Sequence, residues 1–166
     1  GDDEKLLVLS NHPDENIRIA ALLALFSMDP DNEKIHNKIE VAAGFDTSER
    51  VREVAQKLLF TVPEEIENDI LENNGQMTLD DLCKASRYSF NQNVRELAQQ
   101  ALGGRECVDI DKKITAFLSS SHEIGDREII LHFIKHVDSS IQKLAAKELK
   151  KLDEKLKSDF LSNISH

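Results

Sequence analysis

Two histidines, His132 and His136, stand four residues apart on one helical stripe with Glu128, a spacing that could offer a metal ion two imidazoles and a carboxylate. No further ligand can be named, so the pair is read as polar residues on the outer side of an amphipathic helix. Cys83 and Cys107 lie 24 apart, with no C-x-x-C and no histidine at zinc-site spacing. Neither a closed metal site nor a disulfide framework is expected, and both are read as reduced thiols of a cytoplasmic protein. Arg18, Arg52 and Arg95 recur at one place in a repeated pattern and could make an anion-binding row. They are read instead as a structural ladder, bonding carbonyls or acids of the neighbouring turn, with Gln142 breaking the row at its end. Lys143, Lys147, Lys150, Lys151, Lys155 and Lys157 are the only basic concentration: a solvated helix face, or a contact for an acidic partner. No G-x-S-x-G, no glycine-rich phosphate loop and no local Cys–His pairing offers a catalytic centre, and no cofactor is expected.

The elements that must position these residues belong to one soluble domain. The chain has 166 residues, 40% apolar and 31% charged, with no apolar run long enough to cross a bilayer. The net charge of −10 is uneven: residues 1–81 carry 19 acids against 7 bases, 82–126 balance at 6 and 6, and 127–166 carry 6 acids against 8 bases. Such a surface repels a phosphate backbone, so general nucleic-acid binding is not expected. The start, Gly1-Asp2-Asp3-Glu4, has no signal-peptide character and is read as the cut end of a longer protein.

Four segments, 17–25, 51–59, 94–102 and 141–149, align without a gap. Their first position is Ile17, Val51, Val94 or Ile141; the fifth is always alanine (Ala21, Ala55, Ala98, Ala145) and the ninth always leucine. That spacing makes one face of a helix, and the fixed alanine marks a close approach by another. A capping residue (Asp14, Ser48, Asn91, Asp138) precedes each, and upstream of each lies a partner helix, roughly 3–10, 32–43, 78–89 and 127–137, the last with Ile130, Phe133, Ile134 and Val137 on one face. No period-two alternation competes for a strand.

The pattern Asp-x-x-Val-Arg-x-x-Ala-x-x-Ala-Leu, nearly whole at 14–25 and with drift at 48–59, 91–102 and 138–149, resembles the second helix of a HEAT repeat. The resemblance implies an all-α, right-handed α-α superhelix: a solenoid of about four helix pairs (3–28, 32–60, 78–103, 127–152), forming one domain over 1–166. Inserted helices are expected at 63–73 and 109–119, and a separate C-terminal helix at 154–164. It also implies a non-catalytic scaffold that binds a protein partner on the face lined by the second helices. The outward positions there are Ile19, Leu22 and Leu23, then Glu53, Gln56 and Lys57, then Glu96, Gln99 and Gln100, then Lys143, Ala146 and Lys147. Ile19, Leu22, Leu23 and Phe26 lack an obvious partner within the chain, so either a preceding repeat beyond the cut end packs on them, or they form a docking patch or drive weak self-association. The alternative is a HEAT-like enzyme with a metal or tetrapyrrole site, of lyase or hydroxylase type. His122-Glu123 is similar to the His-Glu motifs of HEAT-like diiron hydroxylases, but those need several such motifs and only one is present.

Overall fold

The computed structural model describes residues 1–164. They form an all-helical protein with no strand among the described residues, and no helix is long and apolar enough to cross a membrane. The chain divides into two compact units, Gly1–Pro63 and Glu64–His166.

The first unit holds α1 (Asp2–Leu9), α2 (Glu15–Met28), α3 (Glu33–Phe45) and α4 (Glu49–Leu59). Asp14, Asn32 and Ser48 start the last three by accepting backbone N–H groups that have no carbonyl partner at a helix N-terminus. The core is Leu22, Leu25, Ile35, Ile39, Ala42, Val51, Ala55 and Leu58, with Leu6, Ile19 and Phe26 half-buried against it. This corrects the expected patch: Leu22 is 1% exposed, and of the four residues only Leu23, at 47%, is open. The helix carries apolar residues nearly all round because α1, α3 and α4 surround it. Ile17, expected in the core, is only half-buried.

The second unit holds α5 (Glu64–Glu72), α6 (Leu79–Tyr88), α7 (Gln92–Leu102), α8 (Val108–Leu118), a 3₁₀ turn (Ile124–Asp126), α9 (Arg127–Phe133) and α10 (Ser139–Ile164). Val94, Ala98, Leu102, Ile114, Leu118, Ile130, Phe133 and Ala145 are all but sealed from solvent. Tyr88 and Phe117 each set a ring against Phe133, with centroids 6.4 Å apart.

Three expectations are corrected here. The separate C-terminal helix is the continuation of α10, because Lys150-Lys151-Leu152-Asp153-Glu154 contains no Gly or Pro to stop it. The helix expected through Val137 ends at Phe133, where Lys135 and His136 turn back onto the carbonyls of His132 and Phe133; Val137 is left exposed. Cys83 and Cys107 form a disulfide, with Cα atoms 5.6 Å apart. The return of the chain from α7 to α8 brings the start of α8 against α6, which a separation of 24 residues gives no means of reading.

Candidate functional site

The turn before α2, α4, α7 and α10 is built the same way each time. Its first residue offers a side-chain acceptor to the backbone N–H two positions on. Asp14 N–H donates to His12 Nδ1 (3.0 Å), Ser48 N–H to Asp46 Oδ1 (2.9 Å), Asn91 N–H to Ser89 Oγ (3.1 Å) and Asp138 N–H to His136 Nδ1 (2.9 Å). The carbonyl of that first residue then accepts from a side chain six positions on. The donors are Arg18 Nη1 to His12 O (2.9 Å), Arg52 Nη1 to Asp46 O (2.6 Å), Arg95 Nη1 to Ser89 O (2.8 Å) and Gln142 Nε2 to His136 O. The arginine row is therefore a structural ladder, and Gln142, expected to break it, carries it on.

Beyond the shared bond the arginines diverge. Arg18 turns its remaining edge onto Asp46, Nε to Oδ2 at 3.1 Å and Nη2 to Oδ1 at 2.9 Å, in a fork where both side chains are 12% exposed. Burial alone would raise the Asp46 carboxyl pKa, but the bonds from Arg18 and the Ser48 N–H hold it below its ordinary value. Arg95 has no such partner among the described residues: Ser89 O takes Nη1, and Nε and Nη2 are left over.

The place that Asp46 fills in its turn is filled by His136 in the turn before α10. Its Nδ1 accepts the Asp138 N–H, so its proton sits on Nε2, which faces Asp111 Oδ1 at 3.4 Å without forming a hydrogen bond. Arg87 holds Asp111 from the other side, Nε to Oδ1 at 3.0 Å and Nη2 to Oδ2 at 3.4 Å, and its Nη1 also donates to Ser86 Oγ and Gln99 Oε1. Burial, then the Arg87 charge, push His136 down to about 4, with Asp111 and Asp138 pulling the other way. His132 is also lowered by burial and donates from Nε2 to the Arg87 carbonyl at 2.9 Å. Both rings are inside the unit, which corrects their expected place on an outer face. No cluster of three or more His, Cys, Asp or Glu able to hold a metal forms among the described residues. His122 is likewise taken up by the fold. It donates from Nε2 to Leu118 O at 3.0 Å and sets Nδ1 3.6 Å from Asp126, whose carboxylate raises its pKa.

In front of this network lies a cleft of about 550 Å³, lined by Gln92, Arg95, Glu96, Gln99 and Gln100 of α7 and by Lys135 and Val137 of the turn before α10. Arg87 fixes the carbonyl oxygen of Gln99 at 2.9 Å, and the Gln99 amide N–H₂ has no hydrogen-bond partner among the described residues. Gln92 Nε2 donates to Glu96 Oε1 at 2.9 Å, and Lys135 has no ion pair among the described residues. Glu96, Gln99 and Gln100, expected from the sequence as recognition residues, are thus brought together. Gln92, Arg95, Lys135 and Val137 were not expected there. Lys143 and Lys147 are exposed along α10 but do not line the cleft. In the first unit Glu53 pairs with Lys57 at 3.5 Å and Gln56 is half-buried beside them.

No family model matches the sequence, and no curated protein or solved structure matches it either.

Proposed function

We propose that the chain is a non-catalytic interaction module, a HEAT-like α-solenoid, that holds a segment of another protein against the side of α7. The observation that carries this reading is the cleft itself: three carboxamides, a carboxylate and a cation on α7, with a second cation on the turn before α10, backed by a buried network that fixes one of the carboxamides. Side chains that donate and accept in a fixed row suit the amide groups of an extended chain, and the exposed Val137 supplies a small apolar contact. The turn recurring before α2, α4, α7 and α10 supports reading α1–α2, α3–α4, α6–α7 and α9–α10 as copies of one helix pair. The partner would be a protein, reached by an exposed face of the second helices.

A peptide-display selection on the immobilised chain tests the reading. Peptides that bind the native chain should lose most of their binding to Gln100→Glu/Lys135→Glu, since both residues are exposed and neither side chain holds the fold together. Peptides recovered equally by both proteins would remove the α7 face from consideration.

A further inference from the structure

Arg18 and Arg95 occupy one position of the repeated turn and spend Nη1 on the same bond, but only Arg18 has a carboxylate on its other edge. That carboxylate comes from Asp46, the first residue of the following turn in the first unit. The residue in that role after Arg95 is His136, whose ring is buried and turned to Asp111. Among the described residues the remaining guanidinium edge of Arg95, at a wall of the cleft, therefore has no partner, and Lys135, one residue before His136, adds a second cation without an ion pair there. A planar guanidinium edge with two parallel N–H groups is matched by a carboxylate, which takes both at once.

We propose that the α7 cleft is a carboxylate-binding subsite. An acidic side chain or a C-terminal carboxylate of the bound protein segment takes the place against Arg95 that Asp46 takes against Arg18. Lys135 strengthens the attraction from the opposite wall, and the amides of Gln99 and Gln100 meet the adjoining peptide groups. This rests on the interaction-module reading and names the chemistry that its cleft selects. Glu96, beside Arg95 on α7, disfavours a second acid next to the first, so the subsite favours one carboxylate flanked by neutral residues.

The test uses the whole chain, labelled with ¹⁵N, and short peptides of one length. The first carries a single central glutamate with both ends blocked. The second has glutamine there and a free C-terminal carboxylate. The third has glutamine and both ends blocked. Addition of the first or second should shift the Arg95 Nε–H and the Gln99 and Gln100 amide signals, and the one that does so identifies the source of the carboxylate. Arg95→Gln should weaken that binding roughly tenfold, and Lys135→Ala about threefold. Gln142 makes the same bond to its turn carbonyl, so Arg95→Gln keeps the turn closed, and an unchanged circular-dichroism melt is expected. Equal shifts from all three peptides would overturn the carboxylate subsite while leaving the interaction module standing. Silence from all three would overturn the subsite too, and the display selection would then decide the module separately.

Discussion

Arg18 in the first unit and Arg95 in the second begin from the same bond and end in different company. Arg18 closes a fork onto Asp46 within the chain, and its turn is finished. Arg95 has the turn but not the fork, because the following turn begins with His136 and that ring serves a buried network instead. Both side chains accept the same kind of backbone N–H, so exchanging aspartate for histidine preserves the turn and changes what is left for a ligand. The same turn is thus kept in both places while one exchange frees the other edge of the arginine.

The largest effect is expected where the second unit's network is cut. Arg87→Met removes the cation that holds Asp111 beside the buried His136, and should cost about 3 kcal/mol in urea unfolding, because the carboxylate is left without its charged partner. A loss below about 1 kcal/mol would show that the network does not anchor the cleft. Removal of the disulfide by Cys83→Ala/Cys107→Ala should cost a similar amount, about 3 kcal/mol, since it frees a loop of 24 residues' separation. Hydrogen exchange should place that loss in the second unit, and protection falling equally in α2 and α4 would count against it.

The pH response of the second unit has two opposed parts. His136 is pushed down to about 4 from 6.5, so below pH 6.5 the unfolded chain takes a proton that the folded chain refuses until near pH 4. Its stabilising contribution is complete above pH 6.5 and falls by about 3 kcal/mol across that window. His122, raised by Asp126, acts oppositely: its contribution is complete below pH 6.5 and is lost as pH rises through its folded pKa. His136→Asn, which keeps an acceptor for the Asp138 N–H, should flatten the acid side of the profile, and an unchanged slope would sink the assignment. The smallest effect is the sharpest comparison. Asp46→Asn should cost about 1 to 2 kcal/mol because it weakens a charge-assisted fork, whereas Arg95→Gln should cost less than about 0.5 kcal/mol. Equal losses would mean that Arg95 has a partner within the chain.

Much of the helical framework was legible because its signals are local. The caps Asp14, Ser48, Asn91 and Asp138, the alanine at the fifth position and the apolar face fix where α2, α4, α7 and α10 begin and what they bury. The arginine ladder was legible in outline, but the first residue of each turn was not: His12, Asp46, Ser89 and His136 are of three different types and have in common only an acceptor atom at the right distance. Glu96, Gln99 and Gln100 followed from helical spacing, whereas Lys135 and Val137 reach the cleft through a turn that periodicity placed inside a helix. The disulfide and the Arg87–Asp111–His136 cluster depend on contacts between segments 24 and more residues apart, which no local pattern encodes. With the thiols joined, the reading of a cytoplasmic protein loses the reduced cysteines on which it rested.

The central claim, that Arg95 is open where its counterpart is closed, is tested most directly by hydrogen exchange at the two arginine Nε–H groups of the ligand-free chain near neutral pH. Arg18 Nε–H, bonded to Asp46 Oδ2 at 3.1 Å, should exchange slowly and give a sharp signal. Arg95 Nε–H, with no acceptor among the described residues, should exchange at least about tenfold faster. Equal protection at both sites would contradict the account, because it would place a carboxylate or carbonyl of the chain itself against Arg95 and leave nothing there for a partner to bind.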